Sequence, residues 1–446
     1  MQEFELKLFE LFAEVEKYLS KKGRILIGFS GGLDSTVLLT LACEYFTTKK
    51  VLAVHVNHGL SSNSKDWQRF VVEYCKRLSV DYSLQHVEII DSANQEAKAR
   101  EARFDVFSKL IKKGDALLLG HHLDDQIETV FYRLLRGSGS LGLSGIPLDR
   151  NFREGRLFRP LITLTRTCIL EIAKSRGLNW IEDETNSENR FDRNYLRNCI
   201  IPHINARWPN YQKRINTTIK LNKDAQMLAQ SIFKDDLDNL DLRDERGGLS
   251  INLKKLKTLA RSRQGNVIRY LPTLLGYSPT NYNVHNEFFS SFLQARIDGS
   301  PFLTCCGYQF RRFRNKVYVL HKNLYEIKAS NFPITWDISC SLVLPDGSML
   351  KAVEVDSGGL QLPQTMSFDV DVKRGGERCR PSGRGRTQTL KKLFQEYSLE
   401  PWWRSHIPLL YCRGLLVAVG DLWICNGWNA HSGERGLKIM WKHNSV

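Results

Sequence analysis

The sequence predicts an α/β fold: a doubly wound parallel sheet, followed by a helical middle domain and a small mixed α+β C-terminal domain. Two observations carry this. Strand-like apolar runs at 24–29, 51–56, 84–89 and 116–120 alternate with helical stretches near 34–46, 64–78, 94–113 and 123–136, the pattern of crossover connections in a parallel sheet. The segments richest in reactive side chains lie where three of those runs end, and open α/β sheets bind ligands beyond the carboxyl ends of their strands.

An amphipathic helix over about 3–20 comes first. The run at 24–29 then breaks at Ser30-Gly31-Gly32 and resumes as a helix carrying Leu33, Asp34, Ser35 and Thr36. Glycines let backbone N–H groups approach an anion, and the following helix dipole favours negative charge there. No lysine follows the glycines, so this is not a Walker loop. The run at 51–56 ends in His55-Val-Asn57-His58-Gly-Leu60. The stretch from Asn94 to Phe104 reads as a charged helix whose ordinary role is a solvated face with i,i+4 ion pairs.

The fourth run ends in Gly120-His121-His122-Leu-Asp124-Asp125, with Glu128 and Thr129 following. Asp124 and Glu128 share a helical face, and first-turn acids either cap the helix or bind a hard cation such as Mg²⁺. Their position at a strand's carboxyl end favours the functional role. A transition-metal site at His121 and His122 lacks a third ligand at suitable spacing. Residues 137–160, rich in Gly and Arg, read as a mobile connection. Farther on, Arg193 and Arg197 stand four apart, and helical spacing points both guanidinium groups one way, as a clamp for phosphate oxygens or an RNA backbone.

Boundaries are expected near 208 and 325, giving domains 1–208, 209–325 and 326–446. The middle domain is helical at first and strand-like near 302–321. The whole chain, 446 residues long, carries a net charge of +16, which suggests a polyanionic partner. From Lys373 to Arg404 nine basic and three acidic residues leave a local +6. There Arg374, Lys391, Lys392 and Arg404 are interleaved with Trp402 and Trp403, a composition suited to RNA backbone contact with stacking, although tryptophan is more often core than platform. No signal peptide or membrane span is apparent. Ten cysteines, with no Cys-x-x-Cys pair, read as reduced thiols of a cytoplasmic protein.

The turn from Ser30 to Thr36 resembles the PP-loop of the ATP pyrophosphatase superfamily, with its adenine nucleotide alpha hydrolase-like fold. With HVNHGL, NQEAKAREARF, GHHLDDQIET, RGSGSLGLSGI, the WIEDETN and FDRNYLRN segments, and LKKLFQEYSLEPWWRSHIPLL, the chain resembles the tRNA(Ile)-lysidine synthases. That resemblance implies ATP-dependent joining of free L-lysine to the first anticodon cytidine of tRNA(Ile) with a CAU anticodon, through an adenylated cytidine. Ser30 to Thr36 would cradle pyrophosphate, and His55, Asn57 and His58 would lie near adenine. Asp34 and Asp125 would hold Mg²⁺, and Asp124, Asp125 and Glu128 are candidates for handling the lysine amine. Arg193 and Arg197 would stabilise the α-phosphate or hold the anticodon loop. Arg100 and Arg103 join the RNA-contacting residues only through this resemblance. Oligomeric state stays open, a homodimer included. Two other readings compete: a PP-loop tRNA thiolase, disfavoured by the missing Cys-x-x-Cys, and a non-catalytic ATP sensor, which would need neither the clustered carboxylates nor the arginines.

Overall fold

Ile25, Leu26 and Ile27 are all fully buried, as a short apolar run must be when helices cover both faces of its sheet. In the computed structural model, which describes residues 3–59, 63–87, 95–182, 184, 188–296, 299–322, 331–361, 367–431 and 433–443, that run is β1 (Ile25–Gly28). It pairs in parallel with β2 (Val51–Asn57) on one side and β4 (Ala116–Leu118) on the other. With β3 (Asp81–His86), β5 (Asp149–Phe152) and β6 (Gly155–Phe158) the sheet order is β3-β2-β1-β4-β6-β5. Only β5 runs antiparallel. The order of the strands reverses between β1 and β4, so the binding crevice of this topology opens at their carboxyl ends.

Helices α1 (Glu3–Tyr18), α2 (Leu33–Tyr45) and α3 (Ser64–Leu78) pack on one face, where Leu8, Phe12, Val37, Leu41 and Val71 join one core. Helix α4 (Gln95–Leu110) covers the other through Val106 and Phe107, which meet Leu26, Val54 and Leu117. Helix α5 (Leu123–Leu135) follows β4. The helices match expectation within a few residues, and the third strand lies three residues earlier than expected. Residues 88, 89 and 94, which those expectations included, lie outside the described residues, as do Leu60, Asp183 and 185–187 of the motifs.

The connection expected at 137–160 is instead built structure: a short helix α6 (Ser140–Leu143), then β5 and β6, with β6 parallel to β4. Its strands were hidden because they hold only four residues each and carry arginines. Phe152, Leu157 and Phe158 nevertheless supply buried faces.

The chain divides into two compact units, Met1–Leu228 and Ala229–Val446. In the second, β7 (Arg243–Glu245), β8 (Gly248–Asn252), β9 (Phe302–Thr304), β10 (Tyr308–Phe313) and β11 (Lys316–His321) form an antiparallel sheet in the order β7-β8-β11-β10-β9. Short helical segments pack on it around Ile268, Phe288 and Phe310. Residues 334–443 add sheets of five and four strands, with the helix Leu390–Glu396. Tyr318 and Leu320 of β11 share a core with Trp336, Phe394 and Trp402, and Tyr318 donates its hydroxyl to Glu400 at 3.0 Å. Among the described residues no helix is long and apolar enough to cross a membrane.

For the two tryptophans of the basic segment the structure selects the core over the stacking platform. Trp402 and Trp403 are 6% and 2% exposed, so neither is a platform for bases. Trp402 meets Tyr318 edge-on at 5.0 Å between ring centroids, and Trp403 meets Trp441 at 5.7 Å. A large aromatic gains more from leaving water than from waiting at the surface for a ligand. Trp402→Ala should therefore cost about 3–5 kcal/mol of unfolding free energy, read by denaturant titration. Unchanged stability would return Trp402 to the surface.

Candidate active site

The turn after β1 is held by its own hydroxyls. Ser30 and Ser35 join Oγ to Oγ at 3.0 Å, the Ser30 N–H donates to Ser35 Oγ at 3.2 Å, and the Gly32 N–H donates to Ser30 Oγ at 3.3 Å. Ser35 Oγ donates to the Gly32 carbonyl at 3.0 Å and Thr36 Oγ1 to that of Gly31 at 3.2 Å. Gly31 sits at φ +86°, and a Cβ there would also come 2.6 Å from Ile181. Ile181 closes against the turn by donating its N–H to the Gly31 carbonyl at 2.9 Å. Helix α2, beginning at Leu33, has no side-chain cap, leaving its first turn suited to an anion. At the end of β4, a Cβ on Gly120 would lie 3.2 Å from the Asp34 carbonyl carbon. A side chain there would press on the Asp34 backbone, so glycine favours this close approach of the two loops.

That contact brings the acids of both loops around His122. This buried imidazole lies 3.7 Å from Asp34 Oδ2 and 3.6 Å from Asp125 Oδ2 through Nε2, and 3.6 Å from Asp124 Oδ2 through Nδ1. Burial alone would depress its pKa, but the Asp124 carboxylate and the charges of Asp125 and Asp34 outweigh that and raise it to about 9. His122 is therefore an imidazolium at neutral pH.

The carboxylates then differ in how fully they are used. Asp124 accepts the backbone N–H of Arg166 at 2.8 Å through Oδ2 and the Gln212 amide at 2.9 Å through Oδ1. Although burial opposes it, His122 and the Arg166 N–H hold its pKa below the usual range. Glu128, 2% exposed, is gripped at both oxygens by Arg197, at 2.6 Å and 2.9 Å. Burial raises its pKa against that arginine's pull. Asp125 accepts the His122 backbone N–H at 2.9 Å through Oδ2, and its Oδ1 is 3.7 Å from Arg197. Asp34 keeps Oδ1 buried with no hydrogen-bond partner, and burial raises its pKa despite His122. An enclosed carboxylate oxygen beside a phosphate turn suits Mg²⁺, which uses one or two carboxylates and completes its shell with phosphates and water.

The other predicted residues are placed as follows. His55 is buried and its Nδ1 bonds the Phe29 carbonyl at 2.9 Å, tying β2 to the end of β1; burial lowers its pKa. Asn57 accepts the Gly59 N–H at 2.9 Å, forming a local turn, and His58 is half-buried beside it. Arg193 lies near Arg133, whose pKa burial lowers and Arg193 lowers further. Between Arg193 and Arg197 the chain passes from an α-helical turn into a π-helix at Leu196–Ile200. Arg100 stacks on Phe104 at 5.2 Å; Arg103 is exposed. In the second unit Lys391 and Lys392 are exposed on one helix. Arg374 bonds Asp371 and the Phe332 carbonyl, and Arg404 bonds the Leu399 carbonyl twice, so these two also brace their own loops.

Sequence reasoning missed the central place of His122, the Gln212 anchor and the closing strand residue Ile181. Gln212 could not be found from spacing, since it reaches Asp124 across 88 positions. His122 had a signal: a histidine two places before a first-turn pair of acids.

A parallel sheet with a phosphate turn after β1 and an acidic helix start after β4 defines a PP-loop nucleotide-binding enzyme, and residues 1–204 match the PP-loop domain. Residues 251–318 match the TilS substrate binding domain and 368–441 the TilS substrate C-terminal domain. The tRNA(Ile)-lysidine synthase of Legionella pneumophila (strain Paris) is 34% identical over 400 residues, which cover 89% of this chain and 90% of that protein. That of Coxiella burnetii is 32% identical over 428 residues, 94% of each, and that of Serratia proteamaculans 32% over 441 residues, 97% and 99%. The chain belongs to the tRNA(Ile)-lysidine synthase family.

Because the folded pKa of His122 lies above its unfolded value of about 6.5, its contribution to stability is complete below that pH and disappears as pH rises through about 9. Thermal unfolding should show wild-type stability falling between these values more steeply than that of His122→Gln. Parallel pH profiles would exclude a charged His122.

Proposed function

We propose that this chain uses ATP to join free L-lysine to the first anticodon cytidine of tRNA(Ile) with a CAU anticodon, releasing AMP and pyrophosphate. The observation that carries the reading is the division of labour among the carboxylates. Asp124 and Glu128 are consumed in bonds to Arg166, Gln212 and Arg197, while Asp34 and Asp125 retain oxygen capacity beside the phosphate turn.

In the first step the cytosine carbonyl oxygen attacks the α-phosphorus and pyrophosphate leaves. Ser30 to Ser35 and the start of α2 would hold the departing phosphates through N–H groups and hydroxyls, with charge met by preorganised dipoles. Asp34 and Asp125 would hold Mg²⁺, which when bound neutralises charge on phosphate oxygens. Arg197, fixed in direction by Glu128, faces Asp125 and would favour negative charge growing at the α-phosphate. Arg193 would extend that positive surface toward the anticodon loop, whose unpaired bases can be splayed out.

In the second step the lysine amine displaces AMP from the ring. Its pKa in water is about 10.4, so an acceptor must take a proton near neutrality. Asp125 is the member of its trio with capacity to orient the ammonium and receive that proton. His55, Asn57 and His58 would border the adenine, the first of these through the strand end that it fixes.

The basic stretch from Lys373 to Arg404 would grip the tRNA body, adding affinity and register rather than base identity. Replacing exposed Lys391 and Lys392 together by Ala should weaken tRNA binding and reduce its salt slope by about two. An unchanged slope would remove them from the interface.

The reading as a whole is tested by AMP and pyrophosphate release. Pyrophosphate release should require the CAU-anticodon tRNA(Ile), and AMP release should require lysine as well, with labelled lysine entering the tRNA. AMP release without incorporation of label would refute it.

A further inference from the structure

In the second unit two cysteines distant in sequence lie side by side. The strand Arg378–Cys379 pairs with Gln388–Thr389, setting Cys379 opposite Gln388, so residues 380–387 form a loop closed at Cys379. That loop then pairs with the chain around the strand Trp423–Ile424. The Ser382 N–H donates to the Ile424 carbonyl at 2.9 Å and the Asn426 N–H to the Arg380 carbonyl at 2.7 Å, which sets Pro381 opposite Cys425. Side chains two apart along an extended chain share a face, so Cys379 and Trp423 turn to the same side as Cys425. There Trp423 donates its indole N–H to Cys379 Sγ at 3.3 Å, and the Cys379 and Cys425 side chains hydrogen-bond each other. Cys379 and Cys425 are 6% and 4% exposed and belong to one core.

These hydrogen bonds make the two thiols unlike. Cys379 accepts from Cys425 and from the indole, which holds its pKa below the ordinary thiol value against burial, while the shared bond and burial push Cys425 up. Burial acts the other way on Cys43 and Cys75, pushing both up to about 12. A sulfur with thiolate character beside a second thiol is the arrangement that oxidants convert to a disulfide. Burial restricts the oxidant to one as small as hydrogen peroxide. The Cys379 sulfur attacks one peroxide oxygen, breaking the O–O bond and giving a sulfenic acid and water. The Cys425 sulfur then displaces the hydroxyl from Cys379, and its proton leaves with that hydroxyl as a second water. Two thiols thus lose two electrons and two protons, and the peroxide is reduced to two waters.

The same sulfur is joined to the basic loop, which carries Arg380, Arg384 and Arg386. The Trp423 ring lies 4.6 Å from that of Tyr397, the Arg384 guanidinium lies 4.9 Å from the Tyr397 ring, and Arg384 also bonds Glu396. A bond between the sulfurs would draw Cys379 Sγ off the indole and shift the stack that holds Arg384.

We propose that Cys379 and Cys425 are a modification site, a dithiol that hydrogen peroxide converts to a disulfide and that thereby loosens the grip of the basic loop on tRNA. The second half rests on the reading that the stretch from Lys373 to Arg404 holds the tRNA body.

The test treats the full chain with hydrogen peroxide and measures its intact mass, its digest and its affinity for tRNA. Wild type should lose two hydrogen atoms in mass, yield a peptide joining Cys379 to Cys425, and bind tRNA about tenfold more weakly, the loss of one charge-assisted contact. Dithiothreitol should reverse all three changes. Cys425→Ala, shown folded by thermal unfolding, should form no bridge and keep its tRNA affinity in peroxide; Cys379→Ser serves in its place if it does not fold. Free thiols or a bridge between other cysteines in treated wild type would overturn the site. A bridged protein with unchanged tRNA affinity, or an equal loss of affinity in the variant, would overturn the link to the basic loop. Reduced wild type that binds no tRNA would overturn the reading of the basic stretch, and the mass and digest would still decide the bridge.

Discussion

A single buried imidazolium organises the crevice. Three aspartates from two loops approach His122 within 3.7 Å, and without a cation at their centre such a grouping would repel itself and protonate. The positive ring offsets that repulsion where the loops after β1 and β4 bring the carboxylates together. Gly120 favours the arrangement, since a Cβ there would press on the backbone of Asp34 and Ser35. Sheet order, glycine and histidine thus act as one constraint.

From it follows which acids are already engaged and which keep oxygen capacity. Asp124 is anchored to the backbone before α7 (Arg166–Ser175) and to Gln212, and Glu128 orients Arg197. These fully occupied groups resemble struts, since a buried pair broken on one side leaves an uncompensated charge. Asp34 and Asp125 stand inside the frame next to a phosphate turn with an uncapped helix behind it. Under the proposed reaction the crevice would act as an electrostatic gradient, with donors and dipoles for the leaving phosphates and acids for the cation and the amine.

Much of this was legible in the sequence where local physics decides. Apolar strands of the central sheet cannot be anything else once alternating with helices, and a Ser-Gly-Gly turn before a helix has few conformations. Long-range partners were not legible. Asp124 and Glu128 looked like one helical pair, yet their partners lie 42 to 88 positions away. Four-residue strands read as a connection because exposed Arg150 on the edge strand and half-buried Arg156 on its inner neighbour dilute the alternation. For Trp402 and Trp403 the basic segment left core and stacking both open, and the apolar surface that buries them, from Tyr318 and Trp441, is distant in sequence.

The central claim is that Asp34 offers its enclosed oxygen to a cation shared with the phosphates of ATP. The most direct measurement is ATP affinity as a function of Mg²⁺ concentration in wild type and in Asp34→Asn. The account predicts that Mg²⁺ tightens ATP binding in wild type and that this enhancement is lost in Asp34→Asn, which still binds tRNA. Full enhancement in the variant would contradict it.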